Sequence, residues 1–583
     1  MPDSTIIKLT TPTLAGLTVA TTQTDSQLNG LTTATVSGTS SAPLTLDTAL
    51  ATHLTATINN ADYDGLIAEA HQLPASSNAD RYQFVLRPWL WWLTLSSNNR
   101  VFQNLSAQEI VEKVFKDGGF TDYTFQLKTK PAKREYCLQY NESDFNFVSR
   151  LLEQEGIFWF FTHAEGKHTL VLADDNSAFP PITGDKKVKY QAAASGARET
   201  GIIRSAQLRL QATSQGFQTS DFSYEQPKAA LFAQAKQLVG ENDCAALAAG
   251  HWFTLNDHDD KALNIDWLVI AVSHEYDGEL YRNRFTAIPK ATPYRPQCAT
   301  PKPIMHTQTA TVVGKSGEEI WTDNLGRVKV QFPWDRDGKN HETSSCWLRV
   351  ATTWSGNGFG AQFIPRIGQE VVVSFIDGDP DKPLITGCVY NGANALPYAL
   401  PANQTQSGIK THSEKGFNEL RFDDKKDAEL LAMQAQKDFQ LTVLNDSKTT
   451  VSHDEILSVK NKRSVTVKGD QEHAIDGDET HKVKGNYTLN VDGNLTIKVS
   501  GTLTLESGKT LDIKSGAGLN ASASGSMKLD ATNIASEAKA SLTQKAATIS
   551  HEAKATLTSK ASATQTVEGG GMLVIKGGLV KIN

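Results

Sequence analysis

The sequence predicts a mainly β protein made of two physically different parts: a globular, aromatic-rich base with a few helices, and a carboxy-terminal needle whose strands are shared among three chains. Three observations lead there. The first is composition: all twenty prolines lie at or before Pro401, all ten tryptophans at or before Trp354, and the last phenylalanine is Phe439. From Leu441 to Asn583 the only aromatic residue is Tyr487, so this stretch lacks the large side chains of an ordinary core. The second is a period of eight beginning at Val467: VKGDQEHA, IDGDETHK, VKGNYTLN, VDGNLTIK, VSGTLTLE. The third is the Thr-rich, β-branched character of the first hundred residues, broken by turn signals.

Taken in order, residues 1–100 read as strands, with turns expected at Asn29-Gly30 and Ser37-Gly38. The spacing of Leu105, Ile110, Val111, Val114 and Phe115 predicts an amphipathic helix with Ser106 as its N-cap and Gly118 at its end. A second helix is expected from Ser143 to Glu155, with Phe147, Val148, Leu151 and Leu152 on one stripe and Gly156 just past the last turn. Strands follow at Ile157–Thr162 and Thr169–Ala173, then a helix near Lys228–Leu238, then strands up to Ile288. Pro-rich linkers at 293–303 and 396–401 frame a block, 309–392. Its hairpin turns at Asp323–Gly326 and places Val328, Val330 and Phe332 on one face, Arg327, Lys329 and Gln331 on the other. A small closed β-barrel is the expected result. The expected domains are therefore 1–300, 309–392, a linker and entry segment 393–450, and a needle 451–583.

Within the octads, Val467, Ile475, Val483, Val491 and Val499 recur every eight residues, each followed two places later by Gly469, Gly477, Gly485, Gly493 and Gly501. Odd positions are mostly apolar or glycine and even positions mostly polar, the period-two pattern of a strand with one buried face. The glycine is expected to let the chain turn once per octad without a Cβ clash. A lone strand with one covered face leaves its ladder groups unpaired. Three identical chains around one axis supply both an apolar centre and hydrogen bonds; a single-chain β-solenoid is the competing architecture. Beyond Leu511 the signature fades. EAKASLTQ (537–544) and EAKATLTS (552–559) have helical propensity, but the spacing of Ile534, Leu542, Ile549 and Leu557 favours continued strand.

Bulk numbers exclude several function classes. With 57 Lys and Arg against 64 Asp and Glu the net charge is −7, and no block carries a marked basic excess, so nucleic acid is not an expected partner. Cys137, Cys244, Cys298, Cys346 and Cys388 include no CxxC pair, and neither a disulfide framework nor a zinc site is implied. MPDSTIIKLTTPTLAG is not a Sec signal, and PWLWWLTL (88–95) is too short to span a bilayer. Synthesis in the cytoplasm and export by a signal-less route are expected.

Several stretches together carry a family resemblance: LRPWLWWL (86–93), REYCLQYNESDFNFVSRLLEQEGIFWFF (134–161), GRVKVQFPWD (326–335), IPRIGQEVVVSFIDGDPDKPLITGCVYN (364–391), GFNELRFDD (416–424) and the octads. They resemble VgrG, the valine–glycine repeat spike of type VI secretion systems, and the related hub and spike proteins of contractile phage tails. The resemblance implies a phage-hub-like base of two similar β-barrels, an OB-fold collar and a triple-stranded β-helix or β-prism needle in a homotrimer. It also implies partners: the hexameric Hcp tube and baseplate proteins at the base, a conical PAAR-repeat tip protein with its toxin effector or adaptor at the needle, and transient contact with the target membrane. Only Ala393–Ser407 separate the barrel block from the needle entry, and the final strands run directly to Asn583, so neither a lysozyme domain nor an appended effector is expected. The expected protein is a non-enzymatic piercing and carrier spike, injected without a Sec signal. The alternatives are a baseplate spike of a phage or tailocin, and a spike that cuts peptidoglycan.

No residue set predicts catalysis. Ser507-Gly508-Lys509-Thr510 imitates the end of a P-loop, but Leu503 stands where the first glycine belongs. Glu135 and Asp144 have the spacing of a lysozyme pair, yet Asp144 falls at a helix N-terminus, where the dipole stabilises a carboxylate. No GxSxG elbow occurs. In the barrel block Asp377-Gly378-Asp379-Pro380-Asp381 would repel phosphates, and Trp321, Trp334, Trp347 and Trp354 are expected to pack. No cofactor is expected, with one exception to weigh. Gln471, His473, Glu479 and His481 occupy odd octad positions, and His473 and His481 share one position. A three-fold axis turns each histidine into a ring of three, either an axial site for an ion or metal or a hydrogen-bonded polar layer that fixes register. At the far end, Leu579, Val580, Lys581, Ile582 and Asn583 are the expected seat of the tip protein, by strand continuation.

Overall fold

The computed structural model describes residues 7–76, 79–192, 200–213 and 233–582. The chain divides into two compact units, Met1–Asp446 and Ser447–Asn583.

The first unit is built on one twelve-stranded sheet with two halves. The amino-terminal half contains β1 (Ile7–Thr10), β2 (Thr18–Gln27), β3 (Thr33–Ser40), β4 (His53–Ile58), β5 (Ala61–Ser76) and β6 (Ala79–Arg87), in the order β1-β4-β5-β6-β3-β2. It closes on Leu14, Val36, Leu54, Ile67, Tyr82 and Phe84. Between the halves in sequence lie β7 (Ser97–Ser106), α1 (Ala107–Asp117), β8 (Tyr123–Gln126), β9 (Lys133–Ser143), α2 (Asp144–Glu155), β10 (Phe158–Ala164) and β11 (Lys167–Ala173). The second half contains β12 (Lys187–Lys189), β13 (Ile203–Thr213), β14 (Ala233–Asn242), β15 (Trp252–Asn256), β16 (Asp266–Tyr276) and β17 (Tyr281–Pro289), with its own core of Ile203, Leu238, Phe253, Trp267 and Phe285. The antiparallel pair β2–β16 joins the halves.

Local chemistry sets the two helices. Ser106 caps α1 in a reciprocal box: its hydroxyl accepts from the Glu109 N–H, and the Glu109 carboxylate accepts from the Ser106 N–H. Ser143 caps α2, and Gly156 ends it in the left-handed region at φ 71°. Three expectations in this unit give way to tertiary context. Ser37-Gly38 lies inside β3, not at a turn; a Cβ on Gly38 would stand 2.5 Å from the Thr18 carbonyl, where β2 bulges. The helix expected near Lys228–Leu238 is not formed where the structure describes it: from Ala233 onward the chain is β14, which pairs with both β13 and β17, while 228–232 lie outside the described residues. A central strand position overrides alanine-rich helix propensity. The Pro-rich stretch 293–303 is irregular but pinned: Tyr294 packs edge-on against Phe158 and Phe179, and Thr300 bonds the Glu153 carboxylate.

The block after it is a five-stranded barrel: β18 (Gln308–Val313), β19 (Lys329–Gln331), β20 (Arg349–Val350), β21 (Glu370–Phe375) and β22 (Pro383–Val389), in the order β19-β18-β21-β22-β20. An antiparallel bridge between Val328 and Leu348 closes the ring. Val328, Val330 and Phe332 are buried as expected, but so is Gln331, whose amide donates to the Phe332 and Asp335 carbonyls. β9 serves two cores by alternation: Cys137 faces the helical insert, while Tyr136 and Leu138 enter the barrel core. Asp381 accepts from the Leu138 N–H and, with Asp379, from Lys302, so the acidic run fastens the barrel to the hub. A three-stranded sheet, β23 (Gln406–Lys410), β24 (Glu419–Asp423) and β25 (Leu430–Gln434), completes the unit.

A buried ion pair at this junction carries no apolar signal in the sequence. Arg150 of α2 donates from Nε and Nη2 to the Glu142 carboxylate and from Nη2 to the Leu138 carbonyl, with both side chains buried. Glu142→Gln leaves a buried guanidinium without its counter-charge and is expected to cost about 3–5 kcal/mol in urea unfolding. The double change Glu142→Leu with Arg150→Met is expected to cost less than that single one.

Candidate functional site

The second unit is the repeat. Among the described residues from 447 to 582, no strand ladder and no backbone-to-backbone hydrogen bond forms within the chain. The backbone is extended and bends at 468–469, 476–477, 484–485, 492–493 and 500–501, once per octad. The expected bend at the glycine is therefore present, but its expected reason is not intramolecular. None of Gly469, Gly477, Gly485, Gly493 or Gly501 has a left-handed φ, and a Cβ on any of them would meet nothing within 4 Å. Whatever demands glycine there lies outside the single chain.

The same holds for the apolar face. Val467, Ile475, Val483, Val491 and Val499 are 43–50% exposed, and Tyr487, Leu489, Leu495, Ile497, Leu503 and Leu505 are exposed as well. Such a continuous apolar row is not a stable surface in water. A single-chain solenoid would have covered this row and paired these groups; neither occurs among the described residues. In the faded stretch the bends move with the sequence, to 532, 539–540, 547 and 554–555. Ile534, Leu542, Ile549 and Leu557 each stand two residues beyond a bend, as Tyr487, Leu495 and Leu503 do. EAKASLTQ and EAKATLTS are thus repeat units, not helices. At the end of the chain Leu579, Val580 and Ile582 are exposed, as is Lys581; Asn583 lies outside the described residues.

At the polar octad positions, Glu479 Oε1 lies 2.5 Å from His481 Nε2, so alternate residues do present their side chains on one face. The hydrogen bond from His481, with the nearby His481 and His473 charges, holds the Glu479 carboxyl below its ordinary value.

The hub contains a buried polar cluster that the sequence did not announce. Asp64 accepts from Thr55 Oγ1 at 2.7 Å and meets His53 Nδ1 at 2.7 Å and His168 Nδ1 at 2.8 Å. Its ligand atoms are close enough for a metal, but His168 Nε2 accepts from the Trp89 N–H, which leaves Nδ1 as the proton-bearing donor to Asp64. The cluster is a satisfied hydrogen-bond node. Burial alone would raise the Asp64 carboxyl; hydrogen bonds from His168, His53 and Thr55 outweigh it. The next residue points the other way: Tyr63 hydroxyl reaches the Ala245 carbonyl and His274 Nε2, and His274 Nδ1 meets the Tyr281 hydroxyl. Period-two alternation on β5 thus ties the insert to one face and the second half of the sheet to the other.

The sequence-stretch candidates for chemistry resolve as structure. Asp144 begins α2, buried, accepting from Ser96, Asn98 and Gln139, while Glu135 pairs with Arg327. Trp334 packs on Phe332 and Tyr140, and Trp321 on Trp347 with Lys329 over both rings. Trp354 departs from the packing expectation: it is 65% exposed beside exposed Phe359 and Phe363 on the barrel loop. The five cysteines are free, and no helix among the described residues is long and apolar enough to cross a membrane.

Three family models match the chain: the phage tail baseplate hub (GPD) over residues 25–237 and 229–279, the type VI secretion system/phage-baseplate injector OB domain over 311–390, and the bacteriophage T4 gp5 C-terminal trimerisation domain over 407–514. Among curated relatives, the type VI secretion system spike protein VgrG1a of Pseudomonas aeruginosa is 36% identical over 443 residues, 66% of this chain and 69% of that protein. This chain belongs to the VgrG family. VgrG1b of the same organism is 37% identical over 442 residues, which is 66% of this chain and 60% of that relative, so the chain spans less than two thirds of its length. A Vibrio cholerae VgrG named as an actin cross-linking toxin is 36% identical over 425 residues, only 38% of its own length. The fold is also that of the E. coli c3393 protein, described as a type VI secretion component resembling T4 tail proteins gp27 and gp5: TM-score 0.52 at 24% identity, covering 66% of this chain and all of that one. In this VgrG chain the exposed octads fall within the trimerisation-domain match, which accounts for an apolar face that no single chain covers.

The buried histidines of the hub set an acid limit. Desolvation lowers His163 to about 4 and His274 to about 3, and also lowers His251. The unfolded chain binds these protons near 6.5, so the stability tied to neutral histidine is present above that pH and is lost as pH falls toward 4 and below. The raised His53 runs the opposite way and offsets part of this. The urea midpoint of the full-length protein is expected to fall between pH 6.5 and pH 4, and His274→Gln to flatten that slope.

Proposed function

We propose that the chain works as the non-enzymatic, homotrimeric spike of a type VI secretion system. It assembles in the cytoplasm, sits on the hexameric Hcp tube among baseplate proteins, carries a PAAR-type tip with its effector or adaptor, and is driven through the target envelope without a Sec signal. One observation carries this reading: a run of octads whose apolar row and backbone groups have no partner in one chain, within a region that matches a trimerisation domain. Curated relatives at 36–37% identity bear the name of type VI spike proteins, which favours this machine over a phage or tailocin tail. Against a peptidoglycan-cutting role, the Glu135 and Asp144 carboxylates are engaged in an ion pair and a buried hydrogen-bond node.

Native mass spectrometry of the full-length protein is expected to give three chains. Placing a carboxylate in the apolar row, Val483→Asp with Val491→Asp, is expected to shift the population to single chains while the hub retains its unfolding transition. A wild-type mass of one or two chains removes the reading.

The extended backbone at 579–582 carries exposed Leu579 and Ile582, which suit it to seat a cap by strand continuation. Deleting 579–583 is expected to abolish pull-down of the PAAR-type cone while leaving the three-chain mass unchanged; undiminished capture places the seat elsewhere.

A further inference from the structure

We propose that the first octads hold a divalent transition-metal ion on the three-fold axis, ligated by His481 and Glu479 with His473 in the adjoining layer. The inference rests on the trimer reading above. Within one chain, the 2.5 Å approach of Glu479 Oε1 to His481 Nε2 puts both donor groups on the face that carries the apolar row in later octads. His473 stands one octad earlier at the position of His481. In the octads that follow, the same two positions hold Tyr487 and Leu489, Leu495 and Ile497, Leu503 and Leu505. The octads of His473 and His481 are the only neighbouring pair among the five strict octads to hold polar residues there; elsewhere Glu455, Arg463, Gln544 and His551 hold such a position singly, each beside an apolar residue.

Three-fold symmetry multiplies the set into two rings of three imidazoles with one ring of three carboxylates. Strand layers stack about 4.8 Å apart, so the two histidine rings lie close enough to face one ion. Converging carboxylates disfavour an anion at that level, and an uncompensated ring of buried carboxylates is costly. Imidazole nitrogen with carboxylate oxygen is a donor set for zinc, cobalt, nickel or iron rather than for magnesium or calcium. A hydrogen-bonded layer without metal uses the same residues and is the outcome the experiment must separate.

The test uses the tag-free full-length protein, stripped with a chelator and titrated with cobalt(II) alone. The expected result is at least one cobalt per three chains, with a visible absorption band from imidazole-bound metal. His481→Leu copies the residue type at 489 and 505, so it is expected to keep the three-chain mass and to lose the bound cobalt. His473→Leu is expected to weaken binding by at least about tenfold. Uptake below about 0.1 cobalt per three chains, or full uptake by the His481→Leu trimer, overturns the proposal. Full uptake by that variant would place the metal away from the octads. A wild-type mass other than three chains instead overturns the reading on which the proposal rests.

Discussion

The repeat is ruled by one constraint: an extended chain that presents an apolar row and a full set of backbone donors and acceptors must satisfy both outside itself. Nothing in residues 447–582 closes a ladder, and the valine column stays nearly half exposed. Composition follows from this. Residues near a narrow shared axis must be small or β-branched, and each N–H is needed for pairing, so Trp, Phe and Pro are missing from the same stretch. The glycines follow too. Their φ values are ordinary and their Cβ positions are empty in one chain, so the turn itself does not require glycine.

The base is built by the opposite logic, in which buried polar clusters find their partners within the same chain. β5 shows it in two consecutive residues: Asp64 gathers Thr55, His53 and His168, while Tyr63 reaches Ala245 and His274. β9 repeats the device with apolar side chains, giving Cys137 to one core and Tyr136 and Leu138 to the next. The barrel is then fastened through Asp379 and Asp381 to Lys302 and the Leu138 N–H. Alternation along single strands thus welds hub halves, insert and barrel into one unit.

What the sequence made legible is what local rules control. Ser106 and Ser143 as caps, Gly156 as a left-handed stop, the barrel stripe of Val328, Val330 and Phe332, and the octad bends all rest on spacing and residue type. The strand at Ala233–Asn242 was hidden because its neighbours, β13 and β17, override its helix propensity. Arg150 and Glu142 were hidden for another reason: a charged residue inside an apolar stripe looks like solvent-facing polarity until its partner, eight positions away, is brought against it. The Asp377–Asp381 run looked like a phosphate-repelling surface because Lys302 and Leu138 are remote in sequence. Trp354 erred in the other direction, since an aromatic residue in a Gly-rich loop carries no signal of whether it is covered.

The faded part of the repeat shows how an octad rule survives imperfect octads. Ile534, Leu542, Ile549 and Leu557 are spaced eight, seven and eight, so one unit is a residue short. In a continuous strand an odd step would turn every later side chain to the opposite face. The bends absorb the deficit: they fall at 532, 539–540, 547 and 554–555, keeping each of these residues two positions past a bend. Register is therefore reset at every corner, and inward or outward orientation is decided unit by unit rather than inherited along the chain. Such a repeat can lose a residue, or trade Val-x-Gly for Ala, Ser and Thr, without inverting its apolar column. The strictness of the first octads is thus not required by strand geometry. What they add is glycine at each bend and, in two adjoining octads, histidine and glutamate where the next three octads carry tyrosine, leucine and isoleucine.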